Sequence, residues 1–261
     1  MILNYITWNV SPEIFSIGPI TLRWYGLLFA MSFVIGYLIM QRIFAKENLP
    51  IALLDELATY MIIATVVGAR LGHVLFYEPE SYLKHPLDIL KIWEGGLASH
   101  GAGVGIMIAL YFFSRRNHKP YLWAFDRVVI VVALAAFFIR TGNLMNSEIF
   151  GKPTNLPWAF IFSRVSDIPR HPTQIYEGLC YLATFFFLLN YYYRKDGKPR
   201  SGSIFGMFLI LIFGVRIIIE FLKEPQVGFE NNLTFNMGQM LSVPFVILGI
   251  YLFVRRPAKT E

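Results

Sequence analysis

Tyr121-Leu-Trp-Ala-Phe-Asp126-Arg127-Val-Val-Ile-Val-Val-Ala-Leu-Ala-Ala-Phe-Phe-Ile-Arg140-Thr141 decides the fold class. Its middle, Val128 to Ile139, is uninterrupted apolar sequence, and its charges stand near the two ends. A helix rises about 1.5 Å per residue, so a segment of this length crosses the roughly 30 Å hydrocarbon core of a bilayer. Six further segments read the same way: 19–41, 52–77, 96–113, 173–193, 203–222 and 237–254. Those at 52–77 and 173–193 carry polar residues near one end. Composition agrees, with 56% apolar and 15% charged residues, where a soluble domain carries about 25% charged. The expectation is an all-α polytopic membrane protein of about seven transmembrane helices, a single transmembrane domain over 1–261. An extracytoplasmic arm at 78–95 and a head at 143–172 are inserted between its helices. The head segment holds Gly151, Pro153, Pro157, Pro169 and Pro172, and at this length a connection is usually functional.

Basic residues set the expected orientation. Loops 42–51, 114–120 and 194–201 and the tail from Arg255 hold twelve Lys and Arg, whereas the opposite side holds six over longer segments. Positive charge stays in the cytoplasm, which places the C-terminus inside and, with an odd number of spans, the N-terminus outside. The first 18 residues contain no Lys or Arg, so no cleavable leader is expected there. Ile2, Leu3, Tyr5, Ile6 and Trp8 form a candidate interfacial segment.

The net charge of +6 thus belongs to the loops, and no nucleic-acid partner is expected. One cysteine, Cys180, lies within an apolar run and reads as a buried, inert thiol. No metal-ligand spacing is present, and neither a metal nor a soluble cofactor is expected. Ionisable side chains in spans are costly and are functional or paired. Here Arg23, Tyr25, Arg70, His73, His100, Arg140, His171, Gln174, Glu177, Arg216 and Glu220 all fall toward the outer leaflet under alternating topology. Asp126 and Arg127, near the inner end of their helix, read as a structural or interfacial pair. An Arg-rich outer cavity suits an anion, and a lipid phosphate is the anion at that depth.

The run Arg140-Thr-Gly-Asn143-Leu-Met-Asn146-Ser-Glu148-Ile-Phe-Gly151 resembles the signature of the prolipoprotein diacylglyceryl transferase family. Arg23-Trp-Tyr25-Gly26, Gly68-Ala-Arg70-Leu-Gly72 and Gly95-Gly96-Leu-Ala-Ser-His100-Gly101 are similar to its earlier motifs. His171-Pro-Thr-Gln174-Ile-Tyr176-Glu177 and Arg216-Ile-Ile-Ile-Glu220-Phe-Leu-Lys-Glu-Pro225 are similar to its later ones. Leu144, Lys223, Gln226 and Ile212 depart from the pattern; Ile212 stands where the family often has a tyrosine.

The resemblance implies transfer of a diacylglyceryl group from phosphatidylglycerol to the lipobox cysteine of a prolipoprotein signal peptide. A thioether forms and glycerol phosphate leaves. Both substrates would enter from the lipid bilayer. On this basis Arg140 and Arg216 are expected to stabilise the leaving phosphate. His100 is the candidate base for the thiol, set against a helix-start histidine that only bonds lipid or backbone. Asn143, Asn146 and Glu148 are expected to shape the head loop and bind the lipid, and Gly151 to permit a turn. Tyr25 would bond the headgroup, Gln174 and Glu177 would hold the head loop down, and Glu220 would orient Arg216. Arg70 is either a phosphate ligand or a head-loop anchor. The rival reading is a transporter or flippase for an anionic lipid, with the same cavity but no thioether chemistry.

The orientation is checked by reporter fusions. A fluorescent protein at the C-terminus should be bright, and a periplasm-dependent phosphatase at the same position inactive; the reverse pattern would overturn the assignment.

Overall fold

A peptide group in hydrocarbon finds no water, so a spanning chain must satisfy its own hydrogen bonds and coils into helices. The structure is a computed structural model in which residues 5–18, 20–91, 95–224 and 236–255 are described. Among these, the long helices are α1 (Trp24–Lys46), α2 (Ile51–Phe76), α4 (Ser99–Arg116), α5 (Tyr121–Met145), α6 (Thr173–Arg194), α7 (Ser203–Glu220) and α8 (Met237–Val254). A short α3 (Pro79–Lys84) and a 3-10 turn (Pro86–Leu90) lie between α2 and α4. Five helices, α1, α2, α5, α7 and α8, are long and apolar enough to cross a membrane. α4 and α6 stand where spans are expected, but their sequences are more polar. α4 runs from Ser99-His100 to Arg115-Arg116, and α6 carries Gln174, Glu177, Thr184 and Asn190. The chain is a mostly helical, multi-pass membrane protein.

The first span differs at its start. Residues 20–23, expected to be helical, form β3 (Ile20–Arg23), paired antiparallel with β2 (Glu13–Ile17). Arg23 lies on this hairpin, exposed, 3.4 Å from Glu13. Its apolar alternation suits a strand as well as a helix start. The N-terminal segment is likewise not a free interfacial element. Ile6–Trp8 (β1) pairs in parallel with Phe160–Phe162 (β4), which pairs antiparallel with Pro169–Arg170 (β5). The Trp8 indole donates to the Leu144 carbonyl at 3.0 Å. Ile2 and Leu3 lie outside the described residues. α5 runs past Thr141 to Met145, because Gly142 and Asn143 are buried against protein. Cys180 is partly exposed on α6, not fully buried.

The chain divides into two units, Met40–Phe125 and Met1–Ile39 with Asp126–Glu261. In the first, α2 and α4 touch through glycines. A Cβ on Gly68 would lie 2.6 Å from the Gly101 carbonyl oxygen, and one on Gly72 2.6 Å from Gly101 Cα. Small residues let helices meet backbone to backbone where burial from water supplies no drive. Beyond α2 the Arg70 side chain anchors the arm. Its guanidinium donates to the carbonyls of Ile89 (2.9 Å), Gly95 (2.7 Å), Gly96 (3.1 Å), Asp88 (2.5 Å) and Lys91 (3.4 Å). All five of its N–H donors are thereby engaged. Gly96, at φ 69°, has no room for a side chain, since a Cβ would fall 2.6 Å from Arg70 Nη1.

In the second unit, α7 and α8 approach at Gly206 and Gly249, where a Cβ on either would sit 2.8 Å from the other's carbonyl oxygen. Asp126, near the start of α5, caps α7, accepting from the backbone N–H of Gly202 (2.7 Å) and Phe205 (2.9 Å). Arg127 donates to the Gly197 carbonyl at 3.4 Å. The two side chains therefore clamp the α6–α7 connection, which gives their structural role a definite partner.

Gly101→Val should force α2 and α4 apart. The cost of overpacking, about 1–3 kcal/mol, should appear as a lower detergent-solubilised melting temperature; an unchanged temperature would refute the backbone contact.

Candidate functional site

A fully buried carboxylate must be neutralised where it stands. Glu177, on α6, is 0% exposed, and each of its oxygens meets a cation. Arg140 Nε lies 2.6 Å from Oε2, and Lys223 Nζ lies 2.8 Å from Oε1. Lys223 also reaches Glu220 Oε2 at 3.1 Å. Arg140 Nη1 donates to Asn143 Oδ1 (3.2 Å), one turn on in α5. Asn143 Nδ2 donates to Glu148 Oε1 at 2.7 Å, and Asn146 Nδ2 to the same oxygen at 3.3 Å. Gln174 Nε2 donates to the Glu148 carbonyl oxygen at 2.7 Å. One connected network thus runs from the end of α7 through α6 and α5 into the loop after α5.

Tyr25 stands at the same place from α1. Its ring lies on Gly142, where a Cβ would be 2.7 Å from Tyr25 Cδ2, and Glu148 and Arg140 are its electrostatic neighbours. Gly151 is required for space and not for a turn. A Cβ there would lie 2.6 Å from the Leu222 carbonyl oxygen and 2.7 Å from His171 Cβ. The backbone around it is laced to both neighbours: Gly151 N–H donates to His171 O (2.8 Å) and Lys152 N–H to Leu222 O (2.8 Å). His171 lies two residues before α6, its Nδ1 3.3 Å from the Tyr176 hydroxyl. Burial pushes its imidazole below the ordinary pKa.

Arg216 is half-buried on α7, and its buried Nε has no hydrogen-bond partner among the described residues. The expected pairing with Glu220, one turn on, is replaced by the Glu220–Lys223 pair. Two participants escaped the sequence reading. Lys223 entered it only as a loop charge and a departure from the family pattern. Tyr181, 4% exposed, has Glu177, Arg140 and Arg216 as electrostatic neighbours. Both follow helical spacing: Tyr181 is four residues after Glu177, and Lys223 three after Glu220. Ile212, one turn before Arg216, is buried. Gln226 lies outside the described residues.

Arg70, His73 and His100 belong to the other unit. Arg70 has carbonyls of the 88–96 segment as partners, so it anchors the arm and not the head loop that the sequence reading named. His100, in the first turn of α4, is exposed, with its ring 5.7 Å from those of Phe76 and Tyr77. Among the described residues no cluster of His, Cys, Asp and Glu could hold a metal ion.

Residues 12–255 match the family model for prolipoprotein diacylglyceryl transferase. The chain belongs to the prolipoprotein diacylglyceryl transferase family. A relative from Tolumonas auensis is 50% identical, covering 95% of this chain and 96% of its own. One from Chloroherpeton thalassium is 47% identical (95% and 93%), and one from Porphyromonas gingivalis 46% (96% and 94%). Each is named a phosphatidylglycerol–prolipoprotein diacylglyceryl transferase. The signature that carries the family resemblance is therefore, in three dimensions, the Arg140–Asn143–Glu148 arm of the network.

Gly151→Val should push Leu222 and Lys223 away from the loop. Activity should fall at least tenfold with a melting temperature lowered by a cost of about 1–3 kcal/mol; full activity and unchanged melting would show that the close approach is dispensable.

Proposed function

We infer that this chain is a phosphatidylglycerol–prolipoprotein diacylglyceryl transferase, the enzyme of the first step in lipoprotein maturation. The observation in the structure that best supports an anionic lipid substrate is Arg216. Its buried Nε lacks a partner among the described residues, while Arg140 is held rigidly by Glu177 and Asn143. One guanidinium is oriented and the other is available, an arrangement suited to a phosphate.

In the proposed reaction the cysteine sulfur of the lipobox attacks the glyceryl carbon that bears the phosphodiester. The carbon–sulfur bond forms as the carbon–oxygen bond breaks, and glycerol phosphate departs with the bonding pair. Negative charge grows on the phosphate oxygens. Arg216 grips them bidentately, and Arg140 stabilises them from a fixed position, in a medium where such interactions are stronger than in water. Tyr25, Asn143, Asn146 and Glu148 form the wall for the lipid glycerol. Glu177 and Gln174 hold that wall to α6, and Gly151 and Glu220 hold it to the end of α7. The thiolate is the reactive form of cysteine, and His100 is proposed to take the thiol proton. Arg70 contributes by fixing the arm. The positive-inside distribution supports seven spans in the bacterial cytoplasmic membrane, with the N-terminus, arm and head outside and the C-terminus in the cytoplasm.

The test uses purified protein in detergent with phosphatidylglycerol and a lipobox peptide containing one cysteine. Peptide mass and glycerol phosphate release are followed together. A diacylglyceryl mass gain matched by glycerol phosphate, and lost in folded Arg140→Ala, is expected. Lipid binding without modification of the peptide would instead favour a transporter. His100→Gln should lower kcat/KM by about 10²–10⁴-fold, and wild-type activity across mildly acidic to mildly alkaline pH would remove His100 as the base.

A further inference from the structure

Lys223 is the one described cation of the network for which the proposed reaction has no use. It lies just past α7, three residues beyond Glu220, and its side chain is 3% exposed. Its ammonium bridges Glu177 Oε1 at 2.8 Å and Glu220 Oε2 at 3.1 Å. Its backbone forms a bridge with Gly151. The Glu220 carboxylate is closed in on another side by α8, where a Cβ on Gly238 would lie 2.6 Å from Glu220 Cδ.

Arg216 precedes Glu220 by four residues, the spacing at which Arg and Glu pair along a helix. Its Nε nevertheless has no partner among the described residues. A carboxylate already held by an ammonium three residues on, and fenced by Gly238, is not available to a guanidinium four residues back. We propose that Lys223 is a positioning residue that, by engaging Glu220 and Glu177, keeps the Arg216 guanidinium free to receive the lipid phosphate. This rests on the phosphate-binding reading of Arg216. Without the ammonium, Glu220 is a buried carboxylate whose neighbour one turn away is Arg216. The pair that then forms competes with the lipid for the same donors, so the loss falls on lipid affinity before it falls on turnover.

The experiment is a double-mutant cycle on the full-length enzyme in mixed micelles. The phosphatidylglycerol fraction is varied, the cysteine peptide is saturating, and thioether formation is followed by mass. Lys223→Met should raise the apparent KM for phosphatidylglycerol at least tenfold in the wild-type background, yet less than threefold in the Glu220→Gln background. Lys223→Arg should stay within threefold of wild type. A rise of equal size in both backgrounds, or a fall in kcat and melting temperature with KM unchanged, would mark Lys223 as merely structural and overturn the proposal. Should Lys223→Met fail to fold, the double variant, whose lost charges cancel, is compared with Glu220→Gln alone. Lipid KM values within threefold support the proposal, and a tenfold rise overturns it. Arg216→Gln is measured in parallel. If it keeps wild-type lipid KM and kcat, the phosphate reading fails, and the Lys223 proposal with it. If it loses lipid affinity while the cycle shows no coupling, only the Lys223 proposal falls.

Discussion

A carboxylate at zero exposure, with one cation on each oxygen, is the constraint on which the rest of this site hangs. Moving Glu177 out of water costs several kcal/mol, and only close countercharges offset that cost. Arg140 at 2.6 Å and Lys223 at 2.8 Å supply them. Each cation is thereby fixed, and each carries something else with it. Arg140 orients Asn143, which orients Glu148 in the loop after α5. Lys223 brings the end of α7 to Gly151 and holds Glu220. Breaking such a pair from one side costs about 3–5 kcal/mol, because a charge is left buried and unpaired. The network is thus a poor source of net stability but a strict source of geometry.

Glycine makes the second contribution, by removing atoms where two backbones meet. The α2–α4 contact at Gly68, Gly72 and Gly101 and the α7–α8 contact at Gly206 and Gly249 lie in separate units and follow the same logic. Gly142, Gly151 and Gly238 carry that logic into the site, where they admit the Tyr25 ring, the Leu222 carbonyl and the Glu220 carboxylate. A family motif glycine here records a neighbour's position more than a backbone dihedral.

The helices were legible because apolar length and loop charge are local properties, read directly from residues 121–141 and their counterparts. The signature run 140–151 was legible through its resemblance to the family, and Arg140, Glu177 and Glu220 through the rule that spans tolerate ionisable groups only where they are paired or functional. What failed was anything decided by a distant partner. Residues 20–23 looked like a helix start, yet pair with 13–17 as a hairpin. Ile6–Trp8 looked interfacial, yet adds a strand to Phe160–Phe162. Arg216 and Glu220 had ideal spacing for a pair, and that spacing was overruled by Lys223, whose proximity to Glu177 no local pattern contains. Tyr181, although one helical turn after Glu177, was hidden as one aromatic among many in α6.

Arg70 and Arg216 show how little residue type says until partners are counted. Both are arginines near the end of an apolar helix. Arg70 directs its five donors at arm carbonyls and is a structural bolt. Arg216 has a buried Nε with no partner among the described residues, one turn before a carboxylate that Lys223 has taken. The division of labour between guanidinium and ammonium follows from their shapes. A compact ammonium with rotatable donors sits between two carboxylates at 2.8 and 3.1 Å, while a guanidinium presents its donors as a planar fork. At Arg216, whose Nε has no partner among the described residues, such a fork suits the paired oxygens of the phosphate in the proposed reaction. In the proposed reaction the grip on an anionic lipid would therefore depend on Lys223 holding the carboxylates while Arg216 stays available.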